Sequence, residues 1–248
     1  NDNHEGTMYI TQGFIANSVS PKTTTTLGRE GSDFSAAIFA NCLDAEELTI
    51  WKDVDGLRNA DPKRFTVTEK IEHLSYFEAI ELAFYGASII HPKTLKPLQN
   101  KNIPLKVRSF LDTSLEPSVI DGTKDYIKYV PSYIVKERQT LMSITPKDYS
   151  FMNEHNRALI FNIMDELNIH ANMTQISALV LSICFDENEK KRIMLTDALS
   201  QAFKVKYNDG LKLFTIRHYQ EGLEKDFIED KKIYVEQRSR STYQIVLE

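Results

Sequence analysis

The sequence is poor in the residues that staple, break or anchor a chain. Two of its 248 residues are cysteines, Cys42 and Cys184, far apart and without Cys-x-x-Cys spacing. That count excludes a disulfide-built scaffold and a structural zinc site, and it fits a reducing, cytoplasmic setting. Nine glycines and eight prolines are too few for a collagen-like or proline-rich linker protein. The six histidines are scattered without metal-ligand spacing, so no protein-held metal is expected. No apolar run approaches the ~18 residues that cross a bilayer, and no charged-then-apolar leader is present, so no membrane partner is expected. Basic charge is not in excess: 30 Lys+Arg against 35 Asp+Glu leave a net charge of −5, which offers no general field to nucleic acid.

What is present is ordinary globular material, 42% hydrophobic and 26% charged, long enough for one large domain or two small ones. The chain opens Asn1-Asp2-Asn3 rather than with Met, which points to a piece of something longer. Composition shifts near the middle. In residues 1–110, short apolar runs alternate with glycine-bearing loops: strands at Met8-Tyr9-Ile10 into Gly13-Phe14-Ile15, at 47–51 (buried) and at 105–108. Helices are predicted over 32–40 with Ser32 as N-cap and Asp33 in its first turn, from the Ser75/Glu78 capping box to Gly86, and from Pro92 behind His91. Such alternation suggests an α/β layer with mostly parallel strands. Residues 114–132 read as a connector. Beyond it, a strand at 140–144, a helix over 154–167, two strands within 171–185, a helix carrying Leu195, Ala198, Leu199 and Ala202 on one face, and a hairpin across Asn208-Asp209-Gly210 give the order β-α-β-β-α-β of a ferredoxin-like unit.

Three segments carry candidate chemistry. In TTTTLGREGSDFSAA (23–37), Gly28 and Gly31 flank Arg29, and Ser32 and Asp33 open a helix. Arg29 offers a fork for a carboxylate or phosphate and Asp33 a partner for an ammonium, which suits a zwitterionic amino acid; the plain alternative is a capped helix after a Thr-rich loop. WKDVDGLRNADP (51–62) with Lys63 follows a strand, where α/β proteins place ligands. Its Lys52, Arg58 and Lys63 suit phosphate oxygens and its Asp residues a ribose or magnesium ion, unless the loop is simply solvated and self-paired. FYGASIIHPKTL (84–95) offers backbone at its Gly-Ala-Ser turn for an adenine, with His91 read as a cap. Cys42 and Cys184 read as core thiols.

Taken in order, these three motifs closely resemble the aspartate kinase family, within the amino acid kinase fold. The resemblance implies an α/β C-terminal, nucleotide-side lobe of that fold over 1–118 and a connector at 119–131. Two ferredoxin-like βαββαβ ACT units follow, one over 146–213 and a second, discontinuous and shortened, formed by 132–145 with 214–248. It implies transfer of the ATP γ-phosphoryl group to the side-chain carboxylate of L-aspartate, giving 4-phospho-L-aspartate for lysine, threonine and methionine synthesis. Arg29, Ser32 and Asp33 would bind the substrate; Lys52, Asp53, Arg58, Lys63, Ser88 and Ile89 would bind ATP, with Mg2+ as co-factor of the nucleotide. Glu30, Lys52, Arg58 and Ser88 depart from residues common in the family, and its N-terminal KFGGTS-type segment with the phosphate-binding lysine is not in this sequence. The expectation is therefore a chain inactive alone. In the ACT part, Ser150, Asn172 and Ser177 match the region that holds lysine or threonine as effector, with Asn172 where lysine-sensing relatives often carry Asp. Self-association through the ACT units and a monofunctional type, without a homoserine dehydrogenase module, are also implied. The alternative is a non-catalytic, dimeric amino-acid-sensing module.

Overall fold

The computed structural model describes residues 6–28, 30–87, 90–123 and 129–248. It divides into two compact units between Val130 and Pro131.

In the first unit, β1 (Ile15–Asn17) pairs antiparallel with β2 (Thr24–Thr26), so part of the threonine run is strand rather than loop. Met8-Tyr9-Ile10 lies outside regular structure and is exposed. An apolar triplet becomes a strand only where a neighbour takes its backbone groups, and no ladder forms there. Helix α1 (Gly31–Cys42) is capped not by Ser32 but by Glu30, which takes a left-handed φ of 55° and makes no side-chain cap bond. The turn closed by Gly31 N–H donating to Gly28 O (3.1 Å) already delivers the chain into the helix, so Ser32 falls inside it. Asp33 keeps its predicted place in the first turn.

Strand β3 (Leu48–Lys52) is less buried than predicted; Ile50 is buried but Trp51 is 49% exposed. The strand lies at the edge of the four-stranded sheet β3-β7-β8-β6, which explains the exposure. Short strands β4 (Leu57–Arg58) and β5 (Lys70–Ile71) pair with each other. Strand β6 (His73–Ser75) leads into α2 (Tyr76–Tyr85), which Ser75 caps by accepting from Glu78 N–H and Gly86 ends at φ 107°. Helix α3 (Pro92–Lys101) is capped by His91 Nδ1, as predicted. Strand β7 (Leu105–Ser109) is followed by β8 (Ser118–Asp121). That last strand corrects the connector reading: Ser118 and Ile120 are fully buried in the sheet, and the nearby Pro117 and charged residues hid a core strand. The sheet is also mixed rather than mostly parallel. β3 with β7 and β6 with β8 run parallel, but β7 and β8 are antiparallel. The stretch between Ser109 and Ser118 is too short for the dozen-residue crossover that a parallel pair needs. Cys42 is exposed at the end of α1, not a core thiol.

The second unit is one six-stranded antiparallel sheet in the order β10-β11-β9-β12-β14-β13. Its elements are β9 (Ser132–Pro146), α4 (Glu154–Glu166), β10 (Ala171–Ile176), β11 (Leu181–Asp186), α5 (Glu189–Leu199), β12 (Phe203–Arg217), α6 (Lys225–Ile228), β13 (Ile233–Arg238) and β14 (Thr242–Leu247). The portion β9-α4-β10-β11-α5-β12 has the ferredoxin-like order. Ile160 and Met164 of α4 and Leu195 and Leu199 of α5 pack on Met142, Ile144, Leu181, Ile183 and Phe185. Ala198 and Ala202, predicted on that face, are exposed. Cys184 points the other way, into a second cluster with Leu141, Met173, Leu213 and Val246.

The Asn208-Asp209-Gly210 hairpin is not formed. Residues 203–208 and 211–217 are one strand, both halves pairing with β9, and the turn residues make a bulge in it. A strand as long as β9, at 15 residues, offers more backbone than a short hairpin can pair. Gly210 takes φ 73° there, and Asp209 Oδ1 accepts from the buried Thr140 hydroxyl at 2.6 Å. Among the described residues, the only helix between β12 and β13 is the single turn α6.

Candidate functional site

The parallel strands β3 and β7 end side by side, with Lys52 in register with Ser109. This is the end of an α/β sheet at which ligands bind. The first turn of α1 faces it. Asp33 Oδ2 lies 3.4 Å from Lys52 Nζ, both side chains less than a third exposed. Two residues assigned by the motifs to different ligands therefore meet at one mouth. The chain reaches α1 through two left-handed residues, Gly28 at φ 78° and Glu30 at φ 55°, on either side of Arg29. Gly28 has open space around it, so its requirement is conformational. Arg29 itself, with Ser88 and Ile89, falls outside the described residues. Ser32 is described and exposed beside Asp33.

Of the remaining predicted nucleotide residues, Asp53 is exposed directly after Lys52 and Lys63 is exposed in the turn that Asp61 caps. Arg58 is differently placed. Its Nε and Nη2 donate to the two oxygens of Asp55 at 3.1 and 2.6 Å, and Nη1 donates to the carbonyl and hydroxyl of Thr68 at 3.0 and 2.8 Å. Four of the five guanidinium donors are thereby used within the loop. The Arg58 hydrogen bonds hold the Asp55 carboxyl below its ordinary range. The loop thus contains the self-pairing that its alternating charges allowed. Its base is fixed by the fully buried Ser118, whose hydroxyl accepts from Leu57 N–H at 2.9 Å and donates to Ile71 O at 2.6 Å.

Long-range pairs were missed by the motifs. The carboxylate of Glu30, one of the departures from the family pattern, accepts from His91 N–H at 2.8 Å and ties the starts of α1 and α3 together. His73 Nε2 lies 2.8 Å from Asp121 Oδ1 on the parallel pair β6–β8. Burial works to raise the Asp121 carboxyl, but hydrogen bonds from Thr123 and His73 outweigh it and hold it low. Separations of 61 and 48 residues leave no spacing signal for either pair. Among the described residues no three His, Cys, Asp or Glu side chains gather as a metal site, and no helix is long and apolar enough to cross a membrane.

In the second unit the three effector candidates separate. Ser177 closes the β10–β11 turn through Val180, and Met152 N–H donates to Ala178 O, which brings the segment after Ser150 to that same end. Asn172 lies five residues back along β10, roughly 16 Å away at the rise of a strand. Its Oδ1 accepts from Lys136 Nζ at 2.7 Å, and its Nδ2 donates to Gln139 Oε1 and Asp186 Oδ1, each at 2.8 Å. Burial pulls the Lys136 ammonium below its ordinary range, partly countered by Asp186. Burial also pushes at Asp186, but hydrogen bonds from Gln139 and Asn172 and the Lys136 charge together keep that carboxyl low.

Residues 3–109 match the amino acid kinase family. The chain is 30% identical over 219 residues to lysine-sensitive aspartokinase 3 of Escherichia coli, covering 84% of this chain and 48% of that protein. It is 30% identical over 190 residues to chloroplastic aspartokinase 3 of Arabidopsis thaliana, covering 75% of this chain and 33% of that protein. Its fold matches the crystal structure of E. coli aspartokinase III in complex with aspartate and ADP (R-state) with a TM-score of 0.78. That match has 25% identity and covers 95% of this chain and 56% of the other. The chain thus spans a third to a half of the length of these two relatives. By motif, sequence and fold alike, the chain is similar to aspartokinases, and its residues 3–109 match the amino acid kinase family.

Proposed function

We propose that this chain is the nucleotide-side lobe and regulatory part of an aspartate kinase, which moves the γ-phosphoryl group of ATP to the side-chain carboxylate of L-aspartate. The Asp33–Lys52 pair carries the reading. At 3.4 Å the two charges neutralise each other, and each is of the sign that one reactant needs. An incoming amino acid offers Asp33 its ammonium group, which frees Lys52 to face phosphate oxygens. Arg29, one turn away in sequence, takes the α-carboxylate, and Ser32 lies beside it. Two acidic reactants brought together need cations, and such a site works by positioning and charge neutralisation. Mg2+, which is usually held by substrate phosphates and one or two carboxylates, suits a mouth with the exposed Asp53 carboxylate. When bound it supplies further neutralisation of phosphate charge. Lys63, Ser88 and Ile89 belong to the nucleotide side of the proposal; Arg58 serves it by holding the loop in shape.

The test is hydroxylamine trapping of the acyl phosphate by the full-length protein with MgATP and aspartate. Absence of hydroxamate from a folded, full-length protein overturns the reading. Arg29→Ala is expected to raise the aspartate KM, at a cost of about 2–5 kcal/mol if the bound carboxylate loses its charge partner.

A second reading concerns the unit from Pro131 to Glu248, and its ferredoxin-like strand order favours it. We assign it to two ACT units, 146–213 and 132–145 with 214–248, that pair with a second copy and sense lysine or threonine. Asn172 is engaged by Lys136, so the Ser150–Ser177 end is the better place for the effector. Light scattering and calorimetric titration with lysine and with threonine test this. A monomer binding neither amino acid refutes it.

A further inference from the structure

Helices α1 and α3 lie side by side, and a groove of about 460 Å³ runs along their seam. Phe34, Ile38, Asn41 and Cys42 line it from α1, and Lys93, Lys96, Pro97 and Asn100 from α3. These positions step by three and four residues, so each helix gives the groove one continuous stripe. The volume is that of a site for a small organic ligand. Neither Asp33 nor Lys52 lines it.

The chemistry of the groove is one-sided. Helix α3 carries three lysines and no acidic residue, in a chain of net charge −5. Lys101 is paired with Asp44 and the Asn41 carbonyl. The Lys93 and Lys96 ammonium groups have no hydrogen-bond or ion-pair partner among the described residues. They are three residues apart, so they can converge on one anion. Beside them the Phe34 ring, Ile38 and Pro97 form an apolar floor, with Ile38 37% exposed. The floor is rigid: Asn41 Nδ2 donates to Pro97 O at 2.7 Å and pins the two helices together. A neutral apolar ligand would leave two cations uncompensated, and a simple inorganic anion would leave the floor wet.

We propose that the groove between α1 and α3 is a binding site for an amphiphilic organic anion. Its apolar body lies on Phe34, Ile38 and Pro97, and its carboxylate, sulfonate or phosphate head is held by Lys93 and Lys96. This site is additional to the kinase chemistry proposed above and does not rest on it.

The test uses the full chain and 1-anilinonaphthalene-8-sulfonate, with N-phenyl-1-naphthylamine as the same ring system without the sulfonate. The sulfonate is expected to bind at one site and about tenfold more tightly than the neutral dye, the difference that two surface ion pairs of ordinary strength make. In Lys93→Glu/Lys96→Glu, whose substitutions fall on exposed positions, that preference disappears. Cys42 supplies an independent reporter, because it lines the groove and is exposed while Cys184 is buried. Saturating dye is expected to slow carbamidomethylation of Cys42 by iodoacetamide by about tenfold. Equal affinity for the two dyes overturns the proposal, as does an unprotected Cys42 or a preference that survives in the folded double variant. Displacement of the dye by MgATP or aspartate also overturns it, because the groove would then be part of the mouth at Asp33 and Lys52. The dye comparison and the Cys42 measurement need no variant, so misfolding of the double mutant leaves both decisive.

Discussion

Ser118→Ala tests the claim that the candidate site rests on a buried hydroxyl. Ser118 is fully buried, and its oxygen stands between Leu57 N–H and Ile71 O, which belong to two strands in direct register. Leu57 and Ile71 are each 5% exposed, so water does not readily replace the hydroxyl. Removing it strands one donor and one acceptor, at about 1–3 kcal/mol each, and about 3 kcal/mol together is the reasonable expectation. With a urea m-value of about 2 kcal/mol/M, the unfolding midpoint falls by about 1.5 M. Trp51, the chain's one tryptophan, sits on β3 in the same unit. Its fluorescence therefore follows this unit, while a second transition seen by circular dichroism for the β9–β14 unit should stay in place. A loss below about 0.5 kcal/mol at Trp51 would refute the reasoning, because β4 and β5 would then be closing on each other without the serine.

Other perturbations follow the same physics. Asp55 has a depressed carboxyl pKa because Arg58 bonds it; its stabilising contribution is complete above its ordinary value near 3.8 and is lost as pH falls through the lowered one. Arg58→Ala should flatten that acid limb in Trp51-monitored melts, and an unchanged limb would contradict the clamp. Lys136 has the same sign of linkage in an alkaline window: a base lowered by burial makes the folded state bind its proton less tightly. Stability of the second unit should therefore rise as pH climbs from the lowered value toward 10.5. Lys136→Met should remove that rise relative to the parent in circular-dichroism melts. Burial pushes the Cys184 thiol up to about 12, so native protein should yield one alkylated cysteine by mass spectrometry and denatured protein two. Asp209→Ala leaves the buried Thr140 hydroxyl without its acceptor and should cost about 1–3 kcal/mol in the second unit's melt.

Local chemistry was legible and partnership was not. Ser75 and Gly86 bounded α2, and Pro92 behind His91 opened α3, because each acts within a few residues of itself. The run from Ile160 to Leu167 showed α4 because its period is a property of the helix alone. The Asn208-Asp209-Gly210 turn signal failed for the converse reason. Its residues permit a left-handed step, and whether the step makes a hairpin or a bulge depends on what β9 offers across the sheet. Ser118–Asp121 was hidden because Pro117 and the charges beside it say nothing about the strands on either side of β8. At the site, the motifs named Asp33 and Lys52 for different ligands, and the fold brings the two together because both sit at ends of elements that the local signals place. They could not reveal that Arg58 is spent on Asp55 and Thr68, or that Glu30 turns toward His91.

Asn172 carries that lesson furthest. Read by type, a carboxamide in place of a carboxylate weakens a grip on an ammonium group. In the fold an ammonium group is already there, brought by Lys136 from 36 residues earlier in the chain. The carboxamide accepts it on Oδ1 while Nδ2 turns to Gln139 and Asp186, so donors and acceptor are satisfied from within the sheet. A carboxylate at this position would keep Lys136 but confront Asp186, 2.8 Å from the present Nδ2, with a second negative charge. Asn is therefore the side chain that lets Lys136 and Asp186 share one network, since it accepts from the cation and donates to the anion. An external amino acid competing for Asn172 would have to displace a tethered ammonium and leave Lys136 unpaired in a half-buried place. That penalty opposes binding there, and it is why the effector proposal moves to the turn at Ser177.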